Sequence, residues 1–211
     1  MKQNKLFFLA LSAAVITACS SDKINTQPTD VDPVVLQSSY SAEKSAVPIN
    51  TQWYSFNLPK GCSARNDPDS DMEYKVYEYK ITPAISGKKY GSNMYVSYYS
   101  EDNEDIATYK EFVNVNSQNI LRKGKTVVWE KYEPVREVML SGRKAFVIER
   151  NLRHFLFPNS KDDRYVMKKE KMYVLPASKG YYVIRYFAEE SEFPNNINAF
   201  EEMSASFKGK Y

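Results

Sequence analysis

Apolar and polar positions alternate along this chain in two periods, and the switch between them sets out the expected elements. Residues 53–58, with Trp53, Tyr54, Phe56 and Leu58, read as a strand that ends at Pro59-Lys60-Gly61, a turn composition. Residues 73–81, rich in Tyr and Val, read as a second strand, and residues 94–99 as a third. The period then lengthens. Ile106, Tyr109, Val113 and Ile120 follow at roughly helical spacing. Asp102 or Asn103 is the expected cap, with Glu104 and Asp105 in the first turn, where the helix dipole favours acids. Strand patterns return at 126–132, 135–140 and 145–152, the last two joined by the turn Ser141-Gly142-Arg143-Lys144. Residues 165–175 and 181–187 read as a hairpin around Pro176-Ala177-Ser178-Lys179-Gly180. Ile197, Phe200, Met203 and Phe207 form the apolar stripe of a closing helix. The expected fold is α+β: a mostly antiparallel sheet of about six or seven strands with two main helices packed on it. Short consecutive connections argue against a doubly wound parallel sheet.

The first half-hundred residues follow neither period. Lys2 and Lys5 precede an apolar run at 6–16, too short to span a bilayer comfortably, since a membrane helix needs about 20 apolar residues. Ile16-Thr17-Ala18-Cys19 comes next and resembles the lipobox of bacterial lipoproteins, with Ile16 where Leu is commoner. That resemblance implies a signal peptide over 1–18, cleavage before Cys19, and acylation of the Cys19 sulfur, so that the membrane is the first partner. Three acyl chains, as such lipoproteins carry, make an effectively permanent anchor, because each buried methylene contributes roughly 0.8 kcal/mol. Ser20, in place of the Asp that favours inner-membrane retention in that family, leans towards the outer membrane. Residues 19–48 read as the lipidated cysteine and a flexible tether, polar and proline-containing, with a reach of roughly 30 Å. Residues 49–211 read as a single globular domain.

Charge alters this picture little. The formal net charge of +3 falls to about +1 once Lys2 and Lys5 leave, which gives no electrostatic case for nucleic acid. The chain has two cysteines, and with Cys19 lipidated Cys62 stands alone, so no intrachain disulfide is expected. The 17 tyrosines and 11 phenylalanines suit sheet surfaces and would equally suit stacking on sugars.

Four pieces of the domain resemble the PsbP-like and DcrB-like α/β/α sandwich group. They are Phe56-Asn57-Leu58-Pro59-Lys60-Gly61, Val138-Met139-Leu140-Ser141-Gly142-Arg143-Lys144-Ala145-Phe146-Val147-Ile148, Lys179-Gly180-Tyr181-Tyr182-Val183-Ile184-Arg185-Tyr186, and Phe200-Glu201-Glu202-Met203-Ser204-Ala205-Ser206-Phe207. They occur in the group's order; Cys62 departs from it where Trp often follows the turn glycine. The resemblance implies a domain that binds or organises other proteins and brings no shared catalytic motif.

The candidate chemistry is sparse. His154 is the single histidine, so a Cys–His nucleophile would need Cys62 to meet it. Asp67, Asp69 and Asp71, with Glu78, match EF-hand positions 1, 3, 5 and 12, but Met72 stands where glycine should turn the loop and Pro68 stiffens it. The plainer reading is a solvated acidic turn. A second acidic run, Ser100-Glu101-Asp102-Asn103-Glu104-Asp105, is explained by helix capping. Lys168-Lys169-Glu170-Lys171 reads as a solvated sheet face, with a phosphate-rich glycolipid headgroup as the alternative. Trp53 and Trp129 are the candidates for ligand stacking. No residue set calls for a cofactor. The expectation is a non-enzymatic envelope lipoprotein whose domain binds another envelope protein; the alternative is a small-ligand or glycan binder.

Overall fold

The structure, a computed structural model, describes residues 47–83, 92–118, 127–157 and 161–211, and of 127–132 the backbone alone. The signal segment, Cys19, nearly all of the tether, Ile120 and the Trp129 side chain lie outside these. Among the described residues no helix is long and apolar enough to cross a membrane.

In chain order the elements are β1 (Val47–Asn50), β2 (Tyr54–Leu58), β3 (Cys62–Asn66), α1 (Pro68–Tyr74), β4 (Val76–Pro83), β5 (Asn93–Tyr99), α2 (Tyr109–Asn116), β6 (Val127–Tyr132), β7 (Arg136–Leu140), β8 (Arg143–Phe155), β9 (Tyr165–Pro176), β10 (Tyr181–Glu189), α3 (Phe193–Ser206) and β11 (Lys208–Gly209). The main sheet runs β3-β4-β5-β10-β9-β8-β6, and β7 pairs with the other half of the β8 edge. A small sheet, β1-β2-β11, joins the two ends of the domain. Every pairing is antiparallel, so the α+β expectation stands.

Two hairpin turns depend on glycine. Ser141 and Gly142 both have positive φ (51° and 77°), the two-residue turn whose twist matches that of its strands. Gly180 sits at φ 97°, where a Cβ would lie 2.0 Å from the Tyr99 carbonyl oxygen.

Alternation divides each central strand between two faces. On the first face Tyr182, Ile184, Tyr186, Tyr173, Val96 and Met94 meet α3 and the small sheet, with Tyr54, Phe56, Phe200, Met203 and Phe207 closing the core. Buried tyrosines need partners for their hydroxyls. Tyr54 donates to the Val96 carbonyl (2.8 Å), Tyr186 to that of Phe193 (2.9 Å), and Tyr173 to the Glu201 carboxylate (2.6 Å). On the second face Tyr181, Val183, Val174, Met172 and Ile148 pack against Phe112 of α2.

Several expectations need correction. The acidic turn is helix α1, so the strand expected over 73–81 begins only at Val76. Asp67 accepts from the Ser70 N–H as the cap (3.3 Å), Pro68 opens the first turn, and Lys75 ends the helix in the left-handed region. Helix α2 starts at Tyr109 with Thr108 as its cap, not Asp102 or Asn103. Asn103 does make a cap's bonds, its Oδ1 accepting the N–H groups of Asp105 and Ile106 (3.1 and 3.0 Å), but the turn they close does not continue as helix, and Asp102 pairs with Lys75 (2.9 Å). Strands β1, β3 and β11 were not expected. They are short edge strands, β3 and β11 with small or polar residues, and β1 takes in Val47 and Pro48 from the segment read as tether.

Candidate functional site: a charge-divided cleft

A cleft of about 680 Å³ opens beside β4 on the second face. Its floor comes from cross-strand register. Arg65 pairs with Lys80 and Lys80 with Tyr95, while Glu78 stands opposite Ser97, whose hydroxyl donates to it (2.7 Å). Helix α1 supplies one wall through Ser70, Asp71 and Tyr74, and the loop after β5 adds Glu104 and Asp105. The walls are tied together: the Glu104 N–H donates to the Tyr74 carbonyl (3.1 Å). The two acidic runs, 67–71 and 100–105, therefore meet around one opening. Asp67, Asp71, Glu78, Glu104 and Asp105 make most of it negative; Arg65 and Lys80 make the end towards the open sheet positive.

The carboxylates are not equivalent. Asp71 Oδ1 accepts the Glu78 backbone N–H (3.1 Å), closing a stretch of the β4 edge that β3 does not reach. Burial raises the Asp71 carboxyl above its ordinary range, with Asp67 adding to the shift and that N–H opposing it. Burial also raises Glu78, against the Ser97 hydroxyl and the Arg185 charge. Both acids thus hold a proton more readily than a solvated carboxylate.

The other sequence candidates fall elsewhere. Asp67, Asp69 and Asp71 lie at the start of α1, not in a calcium-type loop, and among the described residues no group of three His, Cys, Asp or Glu could hold a metal ion. Cys62 is on β3 and His154 on β8, five strand spacings apart, or about 24 Å across the sheet. That distance removes a Cys–His pair. Trp53 is half-buried and stacked on Tyr77 and Tyr98 (ring centroids 4.3 and 5.2 Å), with Tyr211 tilted against it at 5.9 Å.

The basic stretch 168–171 is not a solvated face. Glu170 is 0% exposed and Lys168 only 7%. Glu170 accepts from the Nε groups of both Arg150 and Arg185, and Arg150 also donates to the Asn116 carbonyl at the end of α2 (2.8 Å). Burial pushes the Glu170 carboxyl up, but Arg185 and Arg150 outweigh it and hold it below the ordinary range. Burial lowers the Arg150 guanidinium to about 10, Glu170 resisting. The sequence did carry a signal for this cluster. Lys168 and Glu170 share the alternating phase of the core residues Met172 and Val174, and Arg185 shares that of Tyr181 and Val183.

No protein-family model and no curated protein matches the chain. Among solved structures, the chain is similar to the cyanobacterial PsbP protein CyanoP from Synechocystis sp. PCC 6803 (13% identity, TM-score 0.48), over 82% of this chain and 98% of that one. It is also similar to PA94, a protein of unknown function from Pseudomonas aeruginosa (8% identity, TM-score 0.40), over 79% and 98% of the two chains. At these scores the fold class rests on the sheet and helix geometry described above.

Proposed function

We propose that this chain is an exported cell-envelope lipoprotein, anchored through Cys19 at the outer membrane, whose tethered domain is non-enzymatic and binds another envelope protein. One observation carries the binding half of this reading: the charge-divided cleft. It offers a partner an acidic wall, a basic end and two exposed or half-exposed tyrosines, Tyr74 and Tyr95. A basic segment of the partner is the complement of its acidic part, and charge complementarity of this kind steers encounter and sets register. The anchoring half rests on the residues around Cys19 alone.

The test is crosslinking in intact cells with the full lipoprotein, followed by identification of the captured proteins. Recovery of one envelope protein at near-stoichiometric yield, lost on Glu104→Lys/Asp105→Lys reversal, is the expected result. Capture that ignores the reversal would remove the cleft from the reading. A Cys19→Ala chain that still fractionates with membranes would remove the anchor.

A further inference from the structure

The part of the second sheet face that α2 does not cover carries an ordered row of cations. Register makes Arg65 of β3, Lys80 of β4, Tyr95 of β5 and Arg185 of β10 successive neighbours across four strands. Three strand spacings put Arg65 and Arg185 about 14 Å apart along the row. Aromatic rings hold the Arg185 end. Tyr95 and Phe187 lie parallel (5.8 Å between centroids, 6° between planes), and the Arg185 guanidinium sits over both rings at 6.0 and 5.2 Å. Lys168 Nζ lies 4.8 Å over Phe187, with Glu189 opposite it in register.

On the strands of the row itself the cations Arg65, Lys80 and Arg185 outnumber the acids Glu78 and Glu170. Among the described residues Arg65 and Lys80 make no ion pair. Among the described residues Arg185 pairs with Glu170 alone, through Nε; its side chain is 42% exposed, and its two terminal nitrogens bond no described acceptor. Glu170 is shared with Arg150, Glu78 lies on β4 beside Lys80, and the other acids of the cleft, Asp67, Asp71, Glu104 and Asp105, belong to its helix and loop walls. A guanidinium whose Nε is fixed and whose terminal N–H groups are open is preorganised for a carboxylate or phosphate.

We propose that this row binds an acidic saccharide, a sugar ring lying against Tyr95 with its carboxylate or phosphate groups on Lys80 and Arg185. Charge complementarity selects an anion, and the shape of the face selects the class. A sheet face keeps its own backbone groups in the ladder, so an acidic peptide laid on it would find few partners for its N–H and C=O groups. Beyond its acidic groups a saccharide brings hydroxyl and ether oxygens, which stay in water on its outer side. The inference goes beyond the protein-partner reading and shares with it only the cleft floor.

The test is calorimetric titration of the full chain in detergent with oligogalacturonate, a phosphorylated mannan and a neutral galactan. Binding of at least one acidic saccharide, weakened by added salt, with none of the galactan, is expected. The Arg65→Ala/Lys80→Ala variant, which spares the buried Glu170 cluster, should bind about tenfold more weakly. The carboxylated and phosphorylated arms tell which anion the row takes. No binding of either, unchanged affinity in the double variant, or equal affinity for polyglutamate would overturn the assignment. Because the probes are saccharides, failure here leaves the crosslinking result standing, and the reverse.

Discussion

The two faces of the main sheet solve the same burial problem differently. The first is closed by α3 and the small sheet, and its polar atoms are tyrosine hydroxyls, each matched to a carbonyl or carboxylate. The second, among the described residues, is closed over one end by α2 and then turns to charge, with Glu170 wholly buried between two arginines. Tyrosine brings a large apolar body with one easily satisfied group. A buried ion pair brings little net stability but leaves a costly orphan when broken. The first face is thus built for stability, and the second keeps charged groups in fixed places at the margin of a binding surface.

The sharpest way to break this contrast is to compare removal with replacement. Phe200→Ala on the first face should cost about 3–5 kcal/mol in urea denaturation, because the cavity left between Tyr173 and Tyr186 cannot collapse fully. Glu170→Ala should cost a similar amount, about 3–5 kcal/mol, by leaving Arg150 buried without its acid. Replacing Arg150, Glu170 and Arg185 together by Met, Leu and Met should instead be neutral or stabilising. A loss as large as that of Glu170→Ala would show that the cluster itself holds the fold together.

Smaller effects refine the picture. Gly180→Ala forces a left-handed φ and a collision with the Tyr99 carbonyl, and should cost about 1–3 kcal/mol by thermal melting. Thr108→Ala removes the α2 cap and should cost about 1 kcal/mol in urea denaturation; an unchanged stability would show that Thr108 does not cap the helix. The pH dependence should show two opposite signs. Glu170 is held below the ordinary glutamate value of 4.5, so its contribution is fully present above that value and is lost as pH falls through the lowered one. Glu78 is raised, so its contribution is present below 4.5 and is lost as pH rises through the raised value. Stability curves should therefore show Glu78→Gln gaining at neutral pH relative to the parent and Glu170→Gln losing there. A gain in both would contradict the assigned charges.

Local patterns determined much of this protein. The long central strands, the closing helix and the glycine hairpin follow from period, β-branched and aromatic content, and turn residues, all of which act between near neighbours. The sequence also located both acidic runs and the basic stretch at 168–171. It did not show that the acidic runs face one another, that Glu170 lies between Arg150 and Arg185, or that Arg65, Lys80, Tyr95 and Arg185 form one row. Those facts depend on strand order and register, which join residues dozens of positions apart. A one-residue slip in register would turn each of these side chains to the other face. Helix α1 and the shifted start of α2 were hidden for a smaller reason of the same kind. Asp71 bonds to the Glu78 N–H, which the fold brings within reach of α1, and Asn103 makes cap-like bonds to Asp105 and Ile106 in a turn that does not continue as helix. Side-chain type decided what these residues could bond, and tertiary geometry decided which partner they met.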